Sequence, residues 1–448
     1  MNILKLTHDT TAKRFVKRLG ASVLLTTALS IGATGASVAG YDVNARIDAL
    51  ENELRELRGM VQERDEMLDG LQAAAADLQD LPKFDSHKLM ISSRDGNWSI
   101  RFGGRLQLDA FLAEASRTGA ADTSGGGAEV RRARLFASGR VAGDWKYKFE
   151  IDFAGNVVKI KDAWLSTKVA GLEAKFGNHY EPLGLDTQTS SKYITFMERS
   201  IVSDIFQPGK QLGASLGASG DNFSVRGGVF TSGIDNGSDA TTSDLAVTGR
   251  ATYAPLAEKG EVIHLGVAGT YRQFDDNSGP RIRFRNFHNG TRFVDSGTMT
   301  AEGQMTVGAE AAAVFGPFSA QAEYYTSTIE GNGLGATDTD LSGWYVLASY
   351  FLTGESRAYK PYTGTFGRVK AEGAIELAAR YEMIDMEDAG FGTAASETTS
   401  YTLGINYYFN PYVRAMLNYG SAEYDFTAAA GTADTEVDFV GTRLQIDF

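Results

Sequence analysis

The sequence of 448 residues contains no cysteine, eight prolines and five histidines. The absence of cysteine excludes disulfides and is compatible with an oxidising compartment. The histidines are too scattered to match the short spacings of metal ligands, so we predict no metal site and no cofactor. They are His8, His87, His179, His264 and His288.

Long apolar runs are also missing beyond the first 39 residues. No later stretch approaches the roughly 20 apolar residues of a membrane-spanning helix, so any span of the exported chain would have to be a β-strand. The net charge of −13 argues against a nucleic-acid partner. High glycine, tyrosine and phenylalanine content suits a β-barrel with aromatic girdles.

The N-terminus has the pattern of a targeting sequence. Five basic residues lie between Lys5 and Arg18, the mostly apolar run Ala21–Ile31 follows, and Ser37–Ala39 provides a small-x-small cleavage site. We predict that residues 1–39 are a secretory signal peptide. An uncleaved signal anchor is the alternative, which the shortness of the apolar run disfavours.

The spacing of apolar residues changes in residues 40–81. Apolar residues recur at alternating steps of three and four, with charged residues on the flanks, and Pro82 ends the pattern. This heptad repeat predicts an α-helical coiled coil, which requires partner helices and hence an oligomer. A single amphipathic helix lying on the rest of the protein is the alternative. The repeat runs through Ile47, Leu50, Leu54, Leu57, Val61, Arg64, Leu68, Leu71, Ala75 and Leu78.

The remainder of the chain is organised around the predicted hairpin Glu129–Phe153. From Trp145 apolar and charged residues alternate strictly, which predicts a strand with one apolar and one polar face. Gly143 and Asp144 supply the turn. We expect the apolar face to contact lipid and the charged face to line a lumen.

Similar alternating segments recur to the C-terminus without any further helical period. About sixteen segments predict an all-β transmembrane fold over residues 84–448, an antiparallel outer-membrane barrel of 16 strands with an aqueous channel. The final strand ends at the aromatic Phe448. Short turns at Gly143-Asp144, Gly316-Pro317 and Asn410-Pro411 alternate with long connections at Pro182–Lys210, Asp275–Thr300 and Thr353–Lys370, which we interpret as periplasmic turns and external loops.

One catalytic motif is present but lacks its context. Gly213–Gly217 matches the GxSxG pattern, yet no helical period follows it, so the strand-turn-helix elbow of a serine hydrolase is not expected. We predict no catalytic residue and no enzyme activity.

Several long motifs in order resemble the phosphate- and pyrophosphate-selective porin family of the O/P type. They include RFGGRLQLD (Arg101–Asp109), GDWKYKFEIDF (Gly143–Phe153), SSKYITFMER (Ser190–Arg199), LTGESRAYKPYTGTFGRVK (Leu352–Lys370) and YTLGINYYFNPYV (Tyr401–Val413). The resemblance covers about Asn97–Phe448. It implies a trimer of 16-stranded barrels in the outer membrane, with loops folded inward to narrow each pore.

The resemblance also implies an arginine ladder that leads anions to a lysine-rich constriction. One position departs from the family, because Thr187 stands where a central lysine is expected. The resemblance also implies an acidic residue in the same site, at the position of Lys161 or Asp162. The implied pore residues are Arg105, Arg131, Arg132, Lys146, Arg199, Arg281, Arg283, Arg285, Lys360 and Lys370.

Strand phase supports part of this assignment independently. Arg105 and Lys146 fall on polar strand faces, whereas the adjacent Arg131 and Arg132 cannot both point inward from a regular strand, so one is expected at a bulge or loop end. Arg281, Arg283 and Arg285 share one face of an extended chain, with a solvated loop as the alternative interpretation. Guanidinium forks match phosphate or carboxylate edges.

We therefore predict an outer-membrane porin of a Gram-negative bacterium, which forms an anion-selective channel for the passive diffusion of phosphate or polyphosphate-type anions. A weakly selective pore for larger or organic anions is one alternative, and a barrel whose periplasmic coiled coil tethers the envelope is another. The expected partners are small anions, outer-membrane lipid, two further copies in a homotrimer, and a cell-wall or periplasmic partner of the coiled coil.

Overall fold

The computed structural model describes residues 42–80, 82–86, 88–119, 121–231, 244–275, 279–285, 287, 290, 292–331, 338–386, 396–426 and 434–448. The predicted signal peptide lies outside these residues. The chain divides into two compact units, and the second begins at Leu81.

The first unit contains the helix α1, Val43–Asp80. It begins where the side chain of Asp42 accepts a hydrogen bond from the amide of Asn44 at 3.1 Å, as an N-capping residue does. The apolar residues of the heptad repeat from Ile47 to Leu71 are 46–59% exposed. None of the described helices combines the length and the apolarity needed to cross a bilayer.

The second unit is a closed antiparallel barrel of 16 strands, as the sequence predicts. Closure comes from the last strand, which pairs with the first from Thr435↔Arg117 to Asp447↔Arg105. The strands are β1 Ser99–Arg117, β2 Thr123–Val141, β3 Trp145–Asp152, β4 Lys159–Val169, β5 Leu172–Tyr180, β6 Lys210–Ser219, β7 Phe223–Phe230, β8 Leu245–Glu258, β9 Glu261–Gln273, β10 Gly303–Phe315, β11 Phe318–Glu330, β12 Thr339–Phe351, β13 Ala374–Asp385, β14 Glu397–Asn410, β15 Val413–Asp425 and β16 Thr435–Asp447.

The predicted hairpin at 129–153 is confirmed as β2 and β3. Ala142 and Gly143 both have positive φ (47° and 81°), the geometry of a tight turn between twisted strands. In β3 the alternation sorts the side chains as expected: Trp145 and Phe149 are each 41% exposed on the outer face, while Glu150 and Asp152 are buried on the inner face.

The connections define two ends of the barrel. The turn end carries the tight turns after β2, β4, β6, β8, β10 and β14, and the loop end carries the connections after the odd-numbered strands. The segment 352–373 joins β12 to β13 and therefore belongs to the turn end. The interpretation of Thr353–Lys370 as an external loop is thus wrong, because strand parity and not length decides at which end a connection lies.

Three connections fold into the barrel. Loop A (181–209) contains two short helices, α2 Leu185–Gln188 and α3 Ile201–Phe206, which the sequence period did not predict. Loop B (274–302) contains a small sheet of Arg283–Phe284 with Val294–Asp295. The turn-end insert (352–373) contains a small sheet of Tyr359–Lys360 with Thr365–Phe366 and a 3-10 helix, Pro361–Thr363. The remaining short elements are the strands Lys83–Asp85 and Met90–Ser92 and the 3-10 helix Ala154–Asn156.

Apolar side chains fasten these segments to the inner wall. Phe206 of loop A stacks on Tyr325 at 5.9 Å between ring centroids, and Phe287 of loop B stacks on Phe439 at 4.9 Å. Phe366 of the insert packs with Val314 and its neighbours. The core of this barrel therefore lies between the inner wall and the inward segments, and these segments decide which charges face the channel.

Candidate functional site

A bulge in β2 brings two predicted arginines to the same carboxylate. The register of β1 and β2 shifts between Gln107 and Leu108, so that Gln107 pairs with Arg132, Leu108 pairs with Val130, and Arg131 is the extra residue. Arg131 donates to both carboxylate oxygens of Glu198 at 2.9 and 2.8 Å, and Arg132 donates to Glu198 at 3.3 Å. The bulge was one of the two expected solutions for this pair.

A third arginine completes this group, which we call the Glu198 cluster (Arg131, Arg132, Arg443, Glu198 and Asp109). Arg443 donates two bonds to Asp109 at 2.7 and 2.6 Å and one to Glu198 at 2.6 Å. Burial raises the pKa of Glu198, but the three guanidinium groups outweigh it and hold the pKa well below the usual range. Three cations thus face two carboxylates.

A second group, the Glu150 cluster, is formed by side chains of β1 to β4 and by Lys210 at the beginning of β6. Arg105 donates to Ser191 at 2.5 Å and to Glu150 at 3.4 Å. Asp162 accepts from Lys148 at 2.6 Å and from Lys210 at 2.7 Å, so Asp162 rather than Lys161 is the acidic residue among these cations. Four cations meet three carboxylates. The members are Arg105, Arg134, Lys148, Lys210, Glu150, Asp152 and Asp162.

A third group surrounds one aromatic ring and is called the Tyr193 cluster (Lys192, Lys360, Arg368, Tyr193 and Asp447). The charged atoms of Lys192, Lys360 and Arg368 lie 5.4, 5.6 and 5.4 Å from the centroid of Tyr193. Asp447 is the carboxylate beside them, 3.5 Å from Lys192 and in contact with Arg368. Such cation–π contacts hold cations in place without neutralising them.

Burial lowers the pKa of Lys192 to about 8. Asp447 opposes this shift, whereas the neighbouring cations Arg105 and Arg368 add to it. Lys192 is therefore a cation that can lose its charge within an accessible pH range, unlike the arginines around it.

Arg199, another of the implied pore residues, donates hydrogen bonds within loop A. Its guanidinium donates to the backbone carbonyls of Asp186, Thr187 and Thr189 at 2.9, 3.3 and 2.8 Å. These bonds fix the fold of loop A. Thr187 is itself buried, and its amide donates to Gln207 at 3.1 Å. The position at which the family has a lysine is therefore packed inside loop A in this chain.

The predicted arginine row in loop B does share one face. Arg281 and Arg283 are exposed, while the intervening Ile282 is buried. Arg281 forms a two-point pair with Asp295, both contacts at 2.6 Å, and these hydrogen bonds lower the pKa of Asp295 to about 2. Arg285 is half-buried and donates weakly to the carbonyl of Gly290 at 3.4 Å. Part of the row is thus neutralised.

The two remaining predicted lysines lie towards the turn end. Lys146 is exposed on the inner face of β3 and is paired in register with Arg140. Lys370 is exposed in the turn-end insert. Of the predicted lysines, only Lys360 joins one of the three clusters.

Sequence reasoning missed six cations in these clusters. The signal was present for five of them, because each of these lies either on the polar phase of a strand or inside one of the motifs that carry the family resemblance. Lys210 had no such signal, since it begins β6 on the same phase as Leu212 and Leu216. What the sequence did not show is their pairing, since the carboxylates come from distant parts of the chain. The six are Arg134, Lys148, Lys192, Lys210, Arg368 and Arg443.

The discounted GxSxG motif lies in strand β6, without the helix that a nucleophile elbow requires. Ser215 does contact a histidine, since its hydroxyl lies 2.9 Å from Nε2 of His179. The other ring nitrogen of His179 lies 2.8 Å from the carbonyl of Gly177, not from a carboxylate. Both side chains are buried.

Comparison with known families matches the description "Phosphate-selective porin O and P" over residues 100–448, which is most of the chain. The chain belongs to this family. It is an outer-membrane porin, and the family and the barrel indicate a channel rather than an enzyme. Porin O of Pseudomonas aeruginosa is 29% identical over 400 residues, which cover 80% of this chain and 91% of that protein.

Two further proteins are similar to a comparable share of this chain. An uncharacterised protein of Caulobacter vibrioides is 28% identical over 376 residues, covering 79% of this chain and 75% of that protein. The crystal structure of the outer-membrane channel DcaP of Acinetobacter baumannii superposes with a TM-score of 0.52 at 13% identity, covering 80% of this chain and 99% of that chain. The DcaP similarity concerns the fold.

Proposed function

We propose that this porin is an anion-selective channel through which phosphate or polyphosphate-type anions diffuse passively. The Tyr193 cluster carries the proposal, because three cations surround one ring and, within the described part of the chain, Asp447 is the only carboxylate that forms an ion pair with them. The Glu150 and Glu198 clusters each add an excess of one cation. Low-dielectric walls strengthen the local field of such groups.

The carboxylates in these clusters have a physical use in a conducting pore. An anion must bind well enough to enter and weakly enough to leave. Glu198, Glu150 and Asp447 hold the guanidinium and ammonium groups in position and reduce the local potential. We propose that they divide the path into several moderate sites and prevent one tight site that would block it.

Reversal potentials in a planar bilayer test the anion preference. Under a potassium chloride gradient we expect a reversal potential close to that of chloride. A reversal potential on the potassium side would contradict anion selectivity.

Block of the chloride current by phosphate tests the finer claim. The double variant Lys192→Gln/Lys360→Gln should weaken block strongly, and Lys146→Glu should also weaken it. Lys259→Gln is the matched control, because Lys259 is exposed in the tight turn between β8 and β9 and belongs to none of the three clusters. Equal block in the double variant and in the control would refute the assignment of the Tyr193 cluster.

One observation favours a second version of this function. Thr187 is buried within loop A, so the charge that the family places there is missing. A pore weaker in phosphate preference could pass larger or organic anions. Pyrophosphate and citrate should then carry or block current at concentrations where phosphate has no effect, whereas stronger block by phosphate supports the first version.

We further propose a homotrimer with α1 on the periplasmic side. The short strand Met90–Ser92 pairs with the beginning of β1 at the turn end, so the chain enters the barrel there.

The tether to a cell-wall or periplasmic partner is tested by deleting residues 41–80. A tether predicts that the envelope attachment is lost while single-channel conductance is unchanged.

A further inference from the structure

We propose that α1 forms a parallel, in-register coiled coil with the α1 helices of neighbouring copies of this chain, and that its flanking charges fix the register. The proposal is independent of the anion selectivity of the pore. The seam consists of a positions Ile47, Leu54, Val61 and Leu68 and d positions Leu50, Leu57, Arg64 and Leu71.

The seam is available for association. Its seven large apolar side chains are 46–59% exposed along one helix of 38 residues. An isolated helix gains little from such residues in water, and most helix stability comes from burying an apolar face. At about 25 cal/mol per Å² of apolar surface removed from water, the seam gives a clear drive for association.

Chain topology favours the parallel direction. Copies of a barrel in one membrane share one orientation, and each α1 is joined to its barrel through the same residues. Rotation about an axis normal to the membrane relates such copies in a cyclic assembly. Their helices are then parallel, and each seam residue faces its own equivalent.

The flanking charges are complementary in this arrangement. In a parallel coiled coil a g residue faces the e residue five positions later in the neighbouring helix, where opposite charges stabilise the pair. Arg46 at g then faces Glu51 at e, and Glu53 at g faces Arg58 at e. Both pairs have opposite sign.

A slip of one heptad would reverse this pattern. In one direction Arg46 would face Arg58, and in the other Glu53 would face Glu51. The in-register arrangement is therefore favoured over both of its nearest competitors by the same four residues. This is how e and g charges select partners in coiled coils.

Arg64 adds a second register signal at a d position. A polar residue in the seam specifies alignment at a cost in stability. Its guanidinium donates to Asp65 at 2.7 and 3.1 Å, so each seam arginine keeps a carboxylate at the adjacent e position. A shifted register would place this arginine against Leu57 or Leu71 without its own equivalent.

Disulfide crosslinking of the full-length protein tests the proposal cleanly, because the chain has no cysteine. Leu50→Cys and Leu71→Cys place thiols at the two ends of the seam, and Asn52→Cys at the outer f position is the control. Oxidation in native outer-membrane vesicles should give disulfide-linked dimers with both seam variants and none with the control. Heat-modifiable gel migration confirms that each barrel is folded.

Three outcomes would overturn the proposal. Equal crosslinking at Asn52→Cys would mean that the helices are close but not packed on the seam. No crosslinking at either seam position would leave α1 unassociated or folded on its own barrel. Crosslinks only between Leu50→Cys and Leu71→Cys chains in a mixed assembly would indicate antiparallel helices.

A charge exchange in the Leu50→Cys background tests the register separately. Arg46→Glu should lower the fraction of crosslinked chains by a factor of a few, because residue 46 would then repel Glu51 and an exposed ion pair is worth about 0.2–1 kcal/mol. Adding Glu51→Arg should restore the native fraction, since the pair is again opposite in sign. An unchanged fraction in the single variant, or one that the double variant does not restore, contradicts the register assignment.

Discussion

Residues in this lumen act through their immediate neighbours more than through their formal charge. Glu198 is shared by three arginines, Arg131, Arg132 and Arg443. The guanidinium of Arg199 donates hydrogen bonds to backbone carbonyls. Lys360 instead lies beside Tyr193, whose ring attracts a cation without cancelling its charge. The same residue type can therefore serve the wall, a loop or the permeating ion.

Lys192 should make the channel sensitive to pH. Its pKa lies at about 8, so it is charged below that pH and largely neutral above pH 9. We expect anion selectivity to fall between pH 7 and 9. Reversal potentials measured across this range in the native protein and in Lys192→Arg check it, because an arginine stays charged and should give a flat profile. An identical decline in both proteins would assign the effect to another group.

Glu198 should be needed for stability as well as for tuning the potential. In Glu198→Gln the guanidinium groups of Arg131 and Arg132 lose the carboxylate that they bind, whereas Arg443 keeps Asp109. Removing one side of a buried charge group costs about 3–5 kcal/mol. Thermal unfolding of the barrel in detergent measures the loss, with the exposed Glu372→Gln as the control.

The pH dependence of this Glu198 effect follows from the sign of its pKa shift. The pKa is depressed in the folded protein, so the stabilisation is complete above the unfolded value of about 4.3. It is lost only as pH falls through the folded value, which is lower still. The difference between Glu198→Gln and the native protein should therefore be the same at pH 6 and pH 8.

At the scale of elements, carboxylates of the wall and of loop A hold the short helices in place. Asp186 accepts from the amide of Ser200 at 3.1 Å and from the hydroxyl of Ser203 at 2.9 Å. Glu382 of β13 accepts from the amide of Ile201 at 2.8 Å. These bonds satisfy donors at the beginning of α3, which would otherwise be buried without partners.

Asp186→Ala should loosen loop A. Two buried donors lose their acceptor, at a cost of about 1–3 kcal/mol each, and the loop should fluctuate more within the lumen. We expect larger and noisier single-channel currents. Asp186→Asn keeps an acceptor oxygen and should stay close to the native protein, so an equal effect of both variants would argue against a hydrogen-bonding role.

Sequence patterns predicted the strands of the barrel wall better than the connections that fold into the barrel. The alternation from Trp145 to Phe153 is local, and burial on one face enforces it, so β3 is where it was expected. The helices α2 and α3 are shorter than two turns and leave no periodic signal. The connection at 352–373 was assigned to the wrong end because its length gives no information about strand parity.

The site was predictable by residue type but not by contact. Arg105 and Lys146 lie on the inner face, as their strand phase predicts. The bond between Arg131 and Glu198 joins residues 67 positions apart, and that between Arg443 and Glu198 joins residues 245 positions apart. Only closure of the barrel and entry of loop A bring such residues together, and one sequence contains no record of that geometry.

At the scale of the whole molecule, net charge and selectivity should be separable. The chain has a net charge of −13, yet exposed charges farther away than about 8–10 Å are largely screened at physiological ionic strength. Lumenal cations stand beside the permeating ion and act at short range. The position of a charged residue should therefore affect ion selectivity more than the net charge of the chain does.

Two double variants that change the net charge in opposite directions test this separation. Asp338→Asn/Asp340→Asn makes the chain less negative at exposed positions near the loop end, and we expect no change in reversal potential. Lys192→Gln/Lys360→Gln makes it more negative by the same amount within the Tyr193 cluster, and we expect a clear loss of anion preference. If total charge governed permeation, the first variant would raise anion preference by as much as the second lowers it. Measurement at low and at high salt adds a second discriminant, because any contribution of the distant carboxylates should appear only at low ionic strength.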